Sequence, residues 1–331
     1  LKKMNEKVDV LLATYNGEKY IKEQIESILN QTYTNFRLLI SDDCSKDSTI
    51  KILKEYEQKD NRIKVFLQEK NLGYVKNFEF LLTKVENEIY ALSDQDDVWN
   101  NDKVEKTYKK LKEEDADLVF TDLEIVNEKL KTINSSFNDY MFLSRKIKKY
   151  YKDYRLQYLY NCITGCTLMS KKKYLEKIIP IPMDSKYVIH DTWIGLIVAL
   201  NGKIAYLDEA TIKYRQHGNN QVGSNHTSHK YTKLNQVREL FIEVKYQLFN
   251  TYVKNSIIFT KDLQKQIEKA LKYFEILKNK KYINFRGWNV FYKLYKTETF
   301  KYYIENFIIL NLPILASIPF KLRRLILKNK I

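Results

Sequence analysis

Apolar positions along the first 125 residues alternate between two patterns. Short unbroken runs at 8–13, 36–41, 63–68, 89–92 and 118–121 predict strands buried on both faces. Between them the period lengthens to that of helices with one apolar face, over 20–30, 48–58, 74–85 and 101–113. This strand–helix alternation predicts an α/β fold with a mostly parallel central sheet and ligands at the carboxyl ends of its strands. From 129 to 152 the chain turns polar and basic, predicting a loop or a mobile helix. Strand-like character returns at 162–170, broken by Gly165, then come a helix over 190–200 and strand-like runs at 204–207 and 211–214. After Gly223 long helical patterns rich in Lys, Tyr and Phe take over. Residues 1–228 are therefore expected to form the α/β domain and 229–331 a basic, amphipathic helical module.

Composition narrows the class. With 331 residues, 44% hydrophobic and 30% charged, and only 8 Gly and 4 Pro, the chain is globular rather than fibrous or disordered. The formal net charge is +16, but residues 231–331 hold 20 Lys and Arg against 7 Asp and Glu, a net of +13. The basic signal thus belongs to the C-terminal module and not to the predicted cleft, which argues against nucleic acid and for an anionic membrane surface. Three cysteines, an odd and sparse set, point to a reducing compartment, and the spacing of Cys162 and Cys166 suits no zinc site, so these two are expected as buried thiols. The run at 8–13 is too short for a secretory signal. The longest apolar stretch, 307–320, contains Asn311, Pro313 and Pro319 and falls short of the ~20 residues of a spanning helix. The expected location is cytoplasmic, peripheral on the inner face of the plasma membrane.

Polar clusters follow the predicted strands: Thr14-Tyr15-Asn16, Asp42-Asp43, Asn71-Leu72-Gly73 and Asp94-Gln95-Asp96-Asp97. In a parallel sheet these converge on one cleft. The glycines form neither a dinucleotide fingerprint nor a P-loop, so a diphosphate there must be neutralised otherwise. Asp94-x-Asp96 offers a hard-cation site for Mg²⁺ or Mn²⁺ that also binds phosphate oxygens. The plain structural alternative is a solvated acidic turn favouring the dipole of the helix that follows.

Taken together these clusters, with Ser45-Lys46-Asp47-Ser48-Thr49 and Ser93 to Trp99, resemble the inverting family 2 glycosyltransferases of GT-A fold, over residues 8 to about 223. The Ser93-Asp94-Gln95-Asp96-Asp97-Val98-Trp99 version, with His190-Asp191-Thr192-Trp193 and Tyr214-Arg215-Gln216-His217-Gly218-Asn219-Asn220, is most similar to bacterial rhamnosyltransferases of surface-polysaccharide assembly. The resemblance implies transfer of L-rhamnose from dTDP-rhamnose to a hydroxyl of a surface-polysaccharide or lipid-linked glycan. It implies that Tyr15, Asp42 and Asp43 contact base and ribose, with Thr14, Asn16, Asn71, Gly73 and Lys76 also on the donor side. Asp94 would hold ribose or the metal, Asp96 would ligate the metal, and His217 would be a third metal or diphosphate ligand. Asp191 takes the position of the general base, with Gly165, Cys166, His190 and Trp193 on the acceptor side.

Each position has a structural alternative. Asp42, Asp43 and Asp191 suit helix capping, Asn71 and Gly73 a turn, Lys76 a solvated helix face, and the basic module an ordinary helical subdomain. The Gln-x-x-Arg-Trp motif and membrane spans of processive members do not occur in this sequence, so addition of one or a few sugars is expected. Two other readings stay open here: a UDP-hexose (galactosyl or glucosyl) transferase of the same fold, and a basic membrane- or nucleic-acid-binding protein without catalysis.

Overall fold

Strand β1 (Val8–Thr14) is buried along almost its whole length, as a strand covered on both faces must be. Helix α1 (Ile21–Leu29) crosses over to β2 (Phe36–Asp42), and α2 (Thr49–Lys59) crosses to β3 (Ile63–Leu67). Helix α3 (Tyr74–Leu82) then carries the chain back to β4 (Ile89–Ser93), on the other side of β1. All three pairings are parallel, and the register sets Thr14 opposite Asp42, Asp42 opposite Leu67 and Leu12 opposite Ser93. The order reverses between β1 and β4, which opens a crevice at their carboxyl ends, where the polar clusters sit. The computed structural model describes residues 6–141, 143–153, 157, 161–185, 187–218 and 234–279.

The elements that follow are β5 (Val98–Trp99), α4 (Lys103–Glu113), β6 (Leu118–Asn127), β7 (Thr132–Asn134), α5 (Phe137–Tyr140) and α6 (Ser144–Tyr150). After them come β8 (Met169–Lys171), α7 (Leu175–Ile178), α8 (His190–Asn201) and β9 (Ile204–Gln216). The sheet order is β3-β2-β1-β4-β8-β6-β9-β5, with β7 on β6. Its first half is parallel as the pattern predicts. Beyond β4 it is mixed, because the short β8 inserts antiparallel to both β4 and β6 while β6 and β9 run parallel.

Three stretches differ from the sequence pattern, each for a local reason. The two runs at 204–207 and 211–214 are one strand: Thr121 pairs with Leu207 and Asp122 with Ala210, so Asp208 and Glu209 are extra residues in a bulge. Within 129–152, β6 and β7 form a hairpin whose turn is tied by Asn127 Oδ1, which accepts from the N–H groups of Lys129 and Lys131. Within 162–170, Gly165–Thr167 form a 3-10 turn and only Met169–Lys171 is a strand.

The chain divides into two compact units, Leu1–Ile181 with Ile189–Asn220, and Pro182–Val188 with Gln221–Ile331. In the second, α9 (Leu234–Lys254) and α10 (Lys261–Asn279) pack through stacked rings of Phe249 and Phe274, 5.5 Å apart. Leu263, Ile267, Ala270, Phe274 and Leu277 give α10 its buried face at helical spacing. No helix among the described residues is long and apolar enough to cross a membrane. The boundary near 228, Asn219, Asn220, the run 307–320 and the basic tail lie outside the described residues.

Candidate functional site

The loop after β1 is clipped to the acidic turn after β4 by one side chain. Gln95 Oε1 accepts from the Thr14 hydroxyl (2.6 Å) and the Tyr15 N–H (2.8 Å), and its Nε2 donates to the Tyr15 carbonyl. Tyr15 is left 42% exposed at the cleft. Asn16 takes a left-handed conformation (φ 48°), donates its N–H to Ser45 Oγ and accepts from the Lys46 N–H. Asp42 and Asp43 are both buried, and both hold the backbone. Asp42 accepts from the N–H (2.9 Å) and hydroxyl (2.5 Å) of Ser45, and burial pushes its carboxyl up. Asp43 accepts from the N–H groups of Leu72 (2.6 Å) and Gly73 (2.8 Å), and Asn71 Nδ2 donates to the Asp43 carbonyl. Asp43, Asn71 and Gly73 are therefore one clamp, at a φ of 79° that glycine adopts without strain. Lys76 is paired along α3 with Glu79 (2.7 Å), whose carboxylate also accepts from the Ile181 N–H.

At the acidic turn, Asp96 Oδ2 lies 2.8 Å from His217 Nε2, which joins the end of β9 to the end of β4. Arg215 fixes that meeting. Its guanidinium donates to the Asp96 and Glu128 carbonyls and to Glu23, it lies over the Tyr20 ring, and its N–H donates to Asp97 Oδ1. The His217 ring packs 4.8 Å from the same tyrosine. Asp94, partly exposed, is pushed up to about 7, first by desolvation and then by the Asp96 and Asp191 carboxylates, against a hydrogen bond from Cys166.

Beneath the turn lies an enclosed group in which Asp94, Asp97 and Cys166, which the sequence pattern singled out, are joined by Lys103, which it did not. Asp97 and Lys103 are both 0% exposed, and one ligand atom each of Asp94, Asp97 and Cys166 lies within 4.8 Å of the others. Burial, with the Asp97 and Asp94 carboxylates, pushes the Cys166 thiol well up, and the thiol donates to Asp94. Burial also pulls Lys103 down to about 8, opposed by Cys166 and Asp97. The available signal was helical spacing: Lys103 shares the buried face of α4 with Thr107 and Leu111.

The carboxylates of Asp94 and Asp96 with the His217 ring nitrogen make a hard oxygen and nitrogen donor set. The structure joins Asp96 to His217, whereas Asp94 is gathered with Asp97 and Cys166, the one group of three ligand atoms within 4.8 Å among the described residues. The desolvation and neighbouring carboxylates that raise Asp94 are what a dication would relieve, and the oxygen and nitrogen donors suit a hard cation such as Mg²⁺ or Mn²⁺.

On the opposite wall, Asp191 is the second residue of α8, whose N-cap is Ile189. Its carboxylate reaches out to the 3-10 turn instead of closing the helix: Oδ2 accepts from the Gly165 N–H (3.0 Å), while Oδ1 accepts from the Thr192 N–H (2.5 Å) and from Asn161 Nδ2 (3.4 Å). A Cβ at residue 165 would stand 2.7 Å from His190 Nε2 and 3.5 Å from Asp191 Cβ, so only glycine lets the turn approach. His190 is stacked on Phe78 (4.1 Å) with both ring nitrogens lacking partners among the described residues, and burial pulls it toward the neutral form. Trp193 is buried and donates its indole N–H to the Ile178 carbonyl, so it packs α8 against α7. The Gly165–Cys166 dipeptide links the two walls, through Gly165 to Asp191 and through Cys166 to Asp94.

Residues 9–178 match the family model described as Glycosyl transferase family 2. The chain is 32% identical over 242 residues to the dTDP-rhamnosyl transferase RfbG of Shigella flexneri, covering 69% of this chain and 79% of that protein. Among solved structures, S. aureus TarS residues 1–349 in complex with UDP-GlcNAc superimposes with a TM-score of 0.56 at 20% identity, covering 88% of this chain and 81% of that one. The mannosyltransferase PcManGT from Pyrobaculum calidifontis, in complex with GDP-Man and Mn²⁺, gives 0.54 at 13% identity, covering 95% and 86%. At these identities the two structures share the fold.

Proposed function

Since the chain belongs to glycosyl transferase family 2, we propose that it is a cation-dependent inverting transferase in which Asp191 is the general base and the Asp94–Asp96–His217 side receives the nucleotide-sugar diphosphate. The observation that carries this reading is the Gly165–Cys166 dipeptide, which touches Asp191 on one wall and Asp94 on the other. A sugar between these walls has its leaving group and its attacking hydroxyl on opposite faces, the geometry of a single displacement with inversion. A divalent cation, when bound by Asp94, Asp96 and His217, supplies charge neutralisation for the departing diphosphate.

Asp191 accepts the proton of the acceptor hydroxyl as that oxygen attacks the anomeric carbon and the bond to the diphosphate breaks. A carboxylate is a weak base toward a sugar hydroxyl, so proton transfer is concerted with bond formation and no covalent intermediate forms. The neutral His190 lies beside the base, with ring nitrogens able to orient the acceptor. Tyr15, exposed at the mouth, is placed to meet the base of the donor, while Asp42 and Asp43 shape the loops around it.

The donor we favour is dTDP-L-rhamnose, supported by the likeness to RfbG and by the Ser93 to Trp99 and His190 to Trp193 motifs. The acceptor is a hydroxyl of a surface-polysaccharide or lipid-linked glycan, approached from an anionic membrane surface by the basic module. Nucleotide release from a panel of dTDP-rhamnose, UDP-galactose and UDP-glucose, with Mg²⁺, Mn²⁺ or excess chelator, tests it. Release from dTDP-rhamnose alone, abolished by chelator, is the expected result. Release from a UDP-hexose assigns the donor to that sugar, and full turnover in chelator overturns the cation requirement. Asp191→Asn should lower single-turnover rate about 10²–10⁴-fold. Because the new amide faces the Gly165 or Thr192 N–H, it should also cost about 1 kcal/mol of stability.

A further inference from the structure

Four consecutive backbone N–H groups in the loop after β1 donate to side chains of other loops. Tyr15 donates to Gln95 Oε1 (2.8 Å), Asn16 to Ser45 Oγ (2.8 Å), Gly17 to Thr49 Oγ1 (2.8 Å) and Glu18 to Asp47 Oδ2 (3.1 Å). Where a parallel sheet holds phosphate on its first strand–helix loop, it does so with N–H groups of this kind. Here they are engaged within the fold, and what the loop presents is the exposed Tyr15 side chain. Three of the four partners belong to the segment 45–49 that follows β2, to which β1 is paired as far as Thr14 opposite Asp42. Gln95 comes from the other side of the crevice, where the β1–β4 ladder runs to Leu12 opposite Ser93, and it stands between Asp94 and Asp96 in the chain. Past the end of that ladder its amide takes the place of a strand. Oε1 accepts from the Tyr15 N–H and the Thr14 hydroxyl (2.6 Å), and Nε2 donates to the Tyr15 carbonyl (3.0 Å). A Cβ on residue 17 would collide with Gln95 Oε1 and stand 2.9 Å from Gln95 Cδ, so the loop closes over the amide because residue 17 is glycine.

From this arrangement we propose that Gln95 is a positioning residue that joins the nucleoside end of the donor site to its cation end. The inference rests on the reading of Asp94, Asp96 and His217 as the cation and diphosphate side, with Tyr15 at the base. A nucleoside diphosphate bridges the two ends. While Gln95 holds them in one relation, a ligand bound at one end meets the other at high effective concentration. When the clip is cut, the loop must be ordered at the moment of binding, and that advantage falls while the cation end keeps its own affinity.

The test uses the purified full chain and two probes. Binding of Mn²⁺ alone is followed by the electron paramagnetic resonance of the free ion, and binding of dTDP and of UDP in saturating Mn²⁺ by calorimetry, together with donor KM and kcat. In Gln95→Ala, affinity for the nucleotide that wild type prefers is expected to fall about 10–100-fold, with Mn²⁺ alone within threefold and donor KM raised more than kcat is lowered. Gly17→Ala evicts the amide without altering it and should do the same. In the double variant Gly17→Ala/Gln95→Ala the added methyl group has room, so nucleotide affinity should lie within about threefold of either single variant instead of showing both losses multiplied. Nucleotide affinity within threefold of wild type in Gln95→Ala overturns the proposal, as do multiplied losses in the double variant. A fall in Mn²⁺ affinity as large as the fall in nucleotide affinity also overturns it, by confining the effect to the acidic turn. If Gln95→Ala does not fold, Gly17→Ala is judged by the same two affinities, and if neither folds the clip serves the fold and the proposal is overturned. Wild-type protein that binds neither dTDP nor UDP in Mn²⁺ overturns the reading of the cleft and this inference with it, whereas wild-type binding that both variants retain overturns this inference alone.

Discussion

A methyl group at residue 165 would stand 2.7 Å from His190 Nε2, too close for that ring to stay where it is, and in ordinary contact with Asp191 Cβ at 3.5 Å, beside the two side chains proposed to face the acceptor. Gly165→Ala is therefore expected to push the turn and the His190 ring apart and, through the Gly165 N–H that donates to Asp191, to shift that carboxylate by a fraction of an ångström and lower turnover about 10²-fold, since misplacement on that scale is enough to lose a near-attack geometry. Melting temperature and donor affinity should change far less than kcat. A kcat within threefold of wild type would show that the turn yields to the methyl group without disturbing the base. Gln95 makes the same point on the donor side, where one amide ties the Thr14-Tyr15 loop to the acidic turn by three hydrogen bonds.

Elements of the second half of the sheet are gathered at Asp117, just before β6. Its carboxylate accepts from Lys171 (3.0 Å) at the end of β8, from Lys173 (2.7 Å), from the Tyr174 hydroxyl (2.9 Å) and from the Lys203 N–H at the start of β9. Burial alone would raise this group, but the donors from Lys173, Lys171, Lys203 and Tyr174 hold it well below the usual carboxylate range. Asp117→Asn should therefore cost about 1–3 kcal/mol in urea unfolding at pH 7, because several donors lose a charged partner. A depressed folded-state pKa gives stability that is present above the unfolded value, ~3.9, and is lost as pH falls below it. The difference between wild type and Asp117→Asn should thus shrink steadily below pH 4, and a pH-independent difference would assign the effect to packing.

For the whole molecule the unequal distribution of charge matters most, with a net of +13 in residues 231–331 against +3 in the rest. At an anionic lipid surface each basic residue contributes about 1 kcal/mol, and the attraction falls off within a Debye length of about 10 Å at 0.1 M salt. The full chain should sediment with vesicles containing phosphatidylglycerol and not with neutral phosphatidylcholine vesicles, and raising salt to about 0.5 M should release it. Equal recovery with both vesicle types would remove the membrane from the reading of the basic module.

The alternation of apolar runs by itself determined the parallel half of the sheet, because strands covered on both faces and helices covered on one leave different periods in the chain. The same alternation put Thr14, Asp42, Asn71 and Asp94 at one end of that sheet, since parallel strands bring their carboxyl ends together. Only the tertiary structure decided what these groups do. Asp42 and Asp43 are drawn inward to satisfy backbone N–H groups, Trp193 is taken into the packing of α8, and Lys76 is claimed by Glu79. Nor could the sequence place β8 between β4 and β6, or close the 204–216 strand over Asp208 and Glu209, because a bulge and a three-residue strand leave no period to read. The meeting of His217 with Asp96, and the enclosure of Lys103 beneath them, depend on β9 returning beside the acidic turn. A pairing between residues more than a hundred positions apart is set by the packing of the sheet and leaves no mark in the local pattern of the chain.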